Sequence, residues 1–147
     1  MAEYTDNLNS SATPSEAVLC LGSNVEPRLG HISDAISLIS DFASIISYSS
    51  TEDSPDFTGK GHDYLNIVLK CSTDLSLSDF AARLSGIEMI GGRCVERTEA
   101  GMVDIDIDLV LWNRKIVSPK DFERNYFKKL YGQISADSII SPLSCKR

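Results

Sequence analysis

Apolar runs and helix-period stripes follow one another along the chain. Ala17-Val-Leu-Cys-Leu21 is continuously apolar, which suits a central strand buried on both faces. It stops at the turn cluster Gly22-Ser23-Asn24. Pro27 stands where a first helical turn tolerates it, and Leu29, Ile32, Ile36, Ile39 and Ala43 recur at three- and four-residue steps, so Pro27–Phe42 reads as an amphipathic helix. Ser44–Ser50, with Ile45, Ile46 and Tyr48, reads as a second strand, and Glu52–His62, with Pro55, Gly59 and Gly61, as a loop. Tyr64–Thr73 alternates strictly: Leu65, Ile67, Leu69 and Cys71 on one side, Tyr64, Asn66, Val68 and Lys70 on the other.

Ser76-Leu-Ser-Asp79 opens a second helix in the manner of a capping box, with Asp in the Glu/Gln place. Leu77, Phe80, Ala81, Leu84 and Ile87 form its stripe, and Gly91-Gly92 ends it. An aperiodic loop, Arg93–Met102, leads into a strand over Val103–Trp112, and a further helix follows near Pro119–Leu130. The order β-α-β-β-α-β predicts an α+β, ferredoxin-like sandwich: a four-stranded antiparallel sheet, both helices on one face, and an extra C-terminal helix.

The last strand, Val103-Asp-Ile-Asp-Ile-Asp-Leu-Val-Leu-Trp112, carries the most chemistry. Alternation puts Val103, Ile105, Ile107, Leu109 and Leu111 on one face. Asp104, Asp106 and Asp108 fall on the other with Val110 and Trp112, successive carboxylates about 6.8 Å apart. Asp is depleted in strands, and carboxylates so close repel unless a cation sits between them. Hard oxygen ligands on a rigid element suit Mg²⁺, which takes one or two carboxylates and leaves its other positions to water and substrate phosphates. A solvated outer face of a half-buried sheet explains the same row. Taken as metal ligands, Asp106 and Asp108 should face a cleft between the Glu52–His62 and Arg93–Met102 loops, and their repulsion should raise at least one pKa.

Composition narrows the partners. A chain of 147 residues, 42% hydrophobic, is long enough for a packed core and reads as a single domain over 16–147 behind a polar, disordered leader over 1–15. A net charge of −7 leaves no basic stripe for nucleic acid. No apolar stretch approaches a membrane span. Cys20, Cys71, Cys94 and Cys145 are scattered without a Cys-x-x-Cys, which predicts reduced thiols in a cytoplasmic protein. The partners expected are small molecules, and the chain is expected to be a monomer or weak dimer. Gly59-Lys60 lacks the rest of a phosphate-binding P-loop, and His31 and His62 fit no nucleophile–base order.

As a set these segments resemble the 6-hydroxymethyl-7,8-dihydropterin pyrophosphokinases of folate synthesis. The resemblance is carried by Leu21-Gly-Ser-Asn24, Asp63-Tyr-Leu-Asn66, Thr73-Asp-Leu-Ser76, Ile87-Glu88 with Gly92-Arg93, and Ile105-Asp-Ile-Asp-Leu109, from about Ala17 to Trp112. It implies a ferredoxin-like fold and transfer of pyrophosphate from ATP, the co-substrate, to the pterin hydroxymethyl group, releasing AMP. It implies two Mg²⁺ ions on Asp106 and Asp108, with Asp104 an extra carboxylate, and Arg93 as a third catalytic residue. The pterin positions carry over to Ser54, Pro55, Tyr64, Asn66 and Tyr126, and the nucleotide positions to Glu88, Arg93, Arg97, Leu109 and Arg124.

Departures from the family pattern cluster before the aspartate strand. Arg93 and Gly101 are kept, but Val95, Glu96, Ala100, Met102 and Val103 stand where the family has arginines, a tryptophan and a Gly-Pro-Arg-Thr run. The later Pro-His segment has no counterpart. Each lost cation removes a charge-assisted hydrogen bond worth roughly 1.5–3 kcal/mol, with Arg97 and Lys60 as the candidates to substitute. Three readings stay open: an active pyrophosphokinase with a variant ATP clamp, a homologue that binds pterin or nucleotide but turns over poorly, and a non-enzymatic ferredoxin-like interaction module.

Overall fold

A computed structural model of the chain describes residues 13–143, with side chains described through 135. The expected leader lies outside the described residues over 1–12, as does Cys145, and Ser15 already belongs to the first strand. The elements run β1 (Ser15–Ser23), α1 (Arg28–Ile39), β2 (Ser44–Tyr48), β3 (Glu52–Ser54), β4 (Tyr64–Thr73), α2 (Leu77–Ile90), α3 (Val95–Glu99), β5 (Asp106–Trp112), β6 (Lys115–Ile116), α4 (Pro119–Phe122) and α5 (Asn125–Leu143).

All strand pairs are antiparallel, in the order β2-β4-β1-β5-β6, with β3 also paired to β4. The core order β2-β4-β1-β5 is the ferredoxin-like one expected, extended by two short strands. β2 and β3 share the outer edge of β4. Between them Ser49 Oγ accepts from Val68 N (2.9 Å), so a side chain keeps the ladder partnered across the break. The Glu52–His62 loop expected from sequence therefore begins as a strand, which Pro55 ends.

The central strands place apolar residues on both faces, as their patterns predict. Ala17, Leu19, Leu21, Ile67, Leu69 and Cys71 pack under α1 and α2. Val18, Cys20 and Val68 pack on the opposite face against Phe127, Leu130 and Ile134 of α5. The two crossover helices thus lie on one face, and the extra C-terminal helix covers part of the other. Phe80, fully buried on α2, meets Phe42 edge-on at 5.7 Å and Trp112 at 5.5 Å. Burial of a side chain this size contributes roughly 1.5–3 kcal/mol.

Four local expectations change. Leu29 is 59% exposed. The buried stripe of α1 is Ile32, Ala35 and Ile39, and Leu29 lies roughly 90° from its centre at 100° per residue. Leu77, in the first turn of α2, is also exposed. The Arg93–Met102 loop contains the one-turn helix α3. Trp112 is on the helix face, not the aspartate face. β1 and β5 shift register between Val18↔Leu111 and Leu19↔Leu109, so Val110 is an extra residue and alternation reverses after it. Val110 and Leu111 both face α5 as a result, and Trp112 faces Phe80.

Candidate active site

The sheet face covered by α5 is open at its other end. There β1 presents Cys20 and Gly22, β4 presents Tyr64 and Asn66, and β5 presents Asp106 and Asp108. These six line one cavity of about 350 Å³, closed at its sides by Ser54, Pro55 and Phe57 and by Lys120, Asp121, Arg124 and Tyr126. Ile105 and Ile107 are buried in the core under the helices, which fixes the aspartates outward.

Gly22 makes this packing possible. A Cβ there would lie 3.0 Å from Asn66 Oδ1 and 3.4 Å from Tyr64 Cδ1. Asn66 is buried, and its Nδ2 donates to Ser54 Oγ (2.8 Å) and to the Glu52 carbonyl (3.0 Å). Both amide hydrogens are engaged, so Oδ1 is the group it can offer a ligand. Burial, then the charge of Asp106, pushes the Tyr64 phenol up to about 12, so it stays neutral and serves as an aromatic wall. The Tyr126 phenol is also raised, first by burial and then by Cys20.

The carboxylates are unequal. Asp108 is pushed up to about 8, chiefly by burial, then by Asp106 and Asp121. Asp106 is held by Arg93, which donates to it at 2.9 Å and lies 3.7 Å from Glu88. Glu88 Oε2 accepts from Ile107 N (2.7 Å), joining the end of α2 to β5, and burial raises its pKa. Asp104 leaves the row. The backbone of Val103 bonds to Asn24, donating to Oδ1 at 2.8 Å and accepting from N at 3.1 Å. β1 pairing begins only at Gly22↔Asp106. Asp104 therefore sits in a bend and takes Arg97 as its ion-pair partner.

Eight sequence-predicted residues come together around the cavity: Ser54, Pro55, Tyr64, Asn66, Asp106, Asp108, Arg124 and Tyr126. Arg93 and Glu88 stand behind Asp106 and the β5 backbone. Arg97 is turned to Asp104. The Leu109 side chain packs into the core under the helices, leaving only its backbone for a ligand. From the Arg93–Met102 stretch, only Arg93 reaches an aspartate of the site, so that side of the expected cleft is formed instead by α4 and the start of α5. Cys20, Phe57, Lys120 and Asp121 were not singled out from sequence. Cys20 was findable, because antiparallel pairing sets it opposite Asp108. Asp121 had a signal too: Ser118-Pro-Lys-Asp121 is a helix start, and Ser118 Oγ donates to Asp121 Oδ2 at 2.7 Å.

The donor set fits Mg²⁺. Two hard carboxylates project from alternate β5 positions, and burial, then the charge of Asp106, disfavours the ionised form of Asp108 that a bound cation would favour. Among the described residues no group of three or more His, Cys, Asp or Glu gathers to hold a metal unaided. Mg²⁺ does not need one, since it keeps waters and takes substrate phosphates. Asp106 and Asp108 would hold it. No helix among the described residues is long and apolar enough to cross a membrane.

The structure is thus an antiparallel α+β sandwich in which an acidic pair on β5 lines one cavity. Comparison with known proteins identifies its family. The family described as 7,8-dihydro-6-hydroxymethylpterin-pyrophosphokinase (HPPK) matches residues 18–135. The 2-amino-4-hydroxy-6-hydroxymethyldihydropteridine pyrophosphokinase of Aquifex aeolicus is 34% identical over 104 residues, 69% of this chain and 64% of that enzyme. Folic acid synthesis protein FOL1 of Dictyostelium discoideum is 31% identical over 116 residues, 78% of this chain and 18% of that protein. The chain belongs to the HPPK family. It spans just under two thirds of the Aquifex relative and less than a fifth of the Dictyostelium one.

Proposed function

We propose that the chain transfers the terminal pyrophosphoryl group of ATP to the hydroxymethyl oxygen of 6-hydroxymethyl-7,8-dihydropterin, in the cytoplasm and as part of folate synthesis. One observation carries this reading: Asp106 and Asp108 open into the same cavity as Ser54, Pro55, Tyr64 and Asn66. A phosphate-binding end and a heteroaromatic-binding end are then within reach of one pair of substrates.

In this reading Tyr64 and Tyr126 wall the pterin, and Asn66 Oδ1 accepts a hydrogen bond from its edge. Asp106 and Asp108 would hold Mg²⁺, two ions on the family resemblance, and the metal would supply neutralisation of the phosphate oxygens. Arg93 keeps Asp106 oriented. The hydroxymethyl oxygen bonds to the β-phosphorus, the bond from that phosphorus to the α–β bridging oxygen breaks, and AMP leaves with that oxygen. The hydroxyl proton passes to water. Positioning and charge neutralisation lower the barrier, and no strong protein base is required.

Incubation with ATP, Mg²⁺ and the reduced pterin, followed by assay of AMP, tests this. Pterin-dependent AMP is expected; its absence at high enzyme concentration overturns the reading. Poor turnover is the second reading, favoured by the pairing of Arg97 with Asp104, which occupies a cation expected to meet the nucleotide.

A further inference from the structure

We infer that Lys120, which lies outside every motif of the family resemblance, is the cation that meets the nucleotide phosphates in this chain. The inference rests on the pyrophosphokinase reading of the same cavity. Charge around the aspartates selects this residue. Asp56, Asp106, Asp108 and Asp121 line the cavity against only two cations, Lys120 and Arg124. Arg124 is engaged: its Nε is 3.5 Å from Asp121, and its guanidinium lies over the Phe57 ring at 4.9 Å. Arg93 is held by Asp106 and Glu88, and Arg97 by Asp104.

Among the described residues, Lys120 makes no ion pair. Lys60 makes none either, but it lines a separate groove of about 1030 Å³ with Asn24 and Gly101. The backbone that carries Lys120 is fixed against β5. Val117 N and Ser118 N donate to the Val110 carbonyl at 2.8 and 3.3 Å, two residues beyond Asp108. A fixed backbone with a flexible four-carbon stem lets the ammonium follow phosphates bound at Asp106 and Asp108. From the lining of the cavity it supplies positive charge that Val103 and Ala100 do not.

Titration calorimetry on the wild type, Lys120→Ala and Lys120→Arg tests this, with ATP in excess Mg²⁺ and separately with the reduced pterin. Lys120→Ala should weaken ATP binding by about ten- to a hundredfold, the size of one charge-assisted contact. Lys120→Arg should restore most of it, and pterin affinity should stay unchanged in both. In turnover, KM for ATP should rise more than kcat falls. Lys120 is exposed, so its removal leaves no core cavity; a purely structural role would shift the denaturation midpoint and both ligands together. Unchanged ATP affinity in Lys120→Ala, or a loss seen instead in Lys60→Ala, overturns the inference while wild-type AMP release leaves the pyrophosphokinase reading standing. A wild type that binds pterin but no ATP overturns both.

Discussion

Arg97 and Asp104 form an ion pair outside the aspartate cavity. Asp104 lines a different depression, with His31 and Asp34, although the sequence sets it in step with Asp106 and Asp108. The arginine expected to replace a lost nucleotide contact is thereby occupied. Asp104→Asn should release it at a stability cost of less than about 1 kcal/mol, because Arg97 is a third exposed. If Lys120 is the phosphate cation, ATP affinity should move less than about threefold, a small shift beside the tenfold step of 1.4 kcal/mol. A tightening of tenfold or more would restore Arg97 to the clamp.

The Asp108 carboxyl gives a pH dependence with a definite sign. Its pKa is raised from 3.8 to about 8, chiefly by burial and then by the charge of Asp106. Without metal, the folded state keeps a proton that the unfolded chain gives up. The stability it contributes is fully present below pH 4 and is lost as pH rises through 8. The melting temperature of the metal-free protein should therefore fall over that window, and Asp108→Asn should flatten the slope. Mg²⁺ must displace the proton, so its affinity should rise up to about tenfold per pH unit below 8 and level off above. Calorimetry in two buffers of different ionisation enthalpy measures the proton released.

Gly61 is a contact point between two loops. A Cβ there would lie 2.0 Å from the Gly101 carbonyl oxygen and 2.6 Å from Asn24 Nδ2, which donates to that oxygen at 2.8 Å. Gly61→Ala should force the loops apart and cost about 1–3 kcal/mol by urea denaturation. Asn24, read from sequence as part of a turn and of a motif of the family resemblance, is the staple that joins β1 to residues 101–103.

Much of this fold is legible from periodicity because β1, β4 and the two crossover helices carry unbroken patterns. Asp106 and Asp108 were legible because aspartates at alternate strand positions demand an explanation. The rest depends on partners that the local pattern does not contain. Asp104 leaves the row because Asn24, some eighty residues earlier, takes the Val103 backbone. Trp112 changes face because of one extra residue, and a continuous apolar stretch of Leu109 to Trp112 hides the bulge. Lys120 and Asp121 join the site only because α4 folds back along β5.

That change of face is itself testable. Trp112 is the only tryptophan, and it stands 5.5 Å from Phe80. Phe80→Ala should cost about 3–5 kcal/mol and red-shift the tryptophan emission. An unchanged spectrum would put Trp112 back on the aspartate face.

The chemistry itself is tested most directly by ³¹P NMR of ATP, Mg²⁺ and the reduced pterin with the wild type and with Asp106→Ala. The wild type should convert ATP into AMP and a pterin pyrophosphate ester in equal amounts. Asp106→Ala should stay folded and produce neither, since loss of a partly exposed carboxylate opens no core cavity. ADP and inorganic phosphate in place of AMP, or full conversion by Asp106→Ala, would contradict pyrophosphoryl transfer at this aspartate pair.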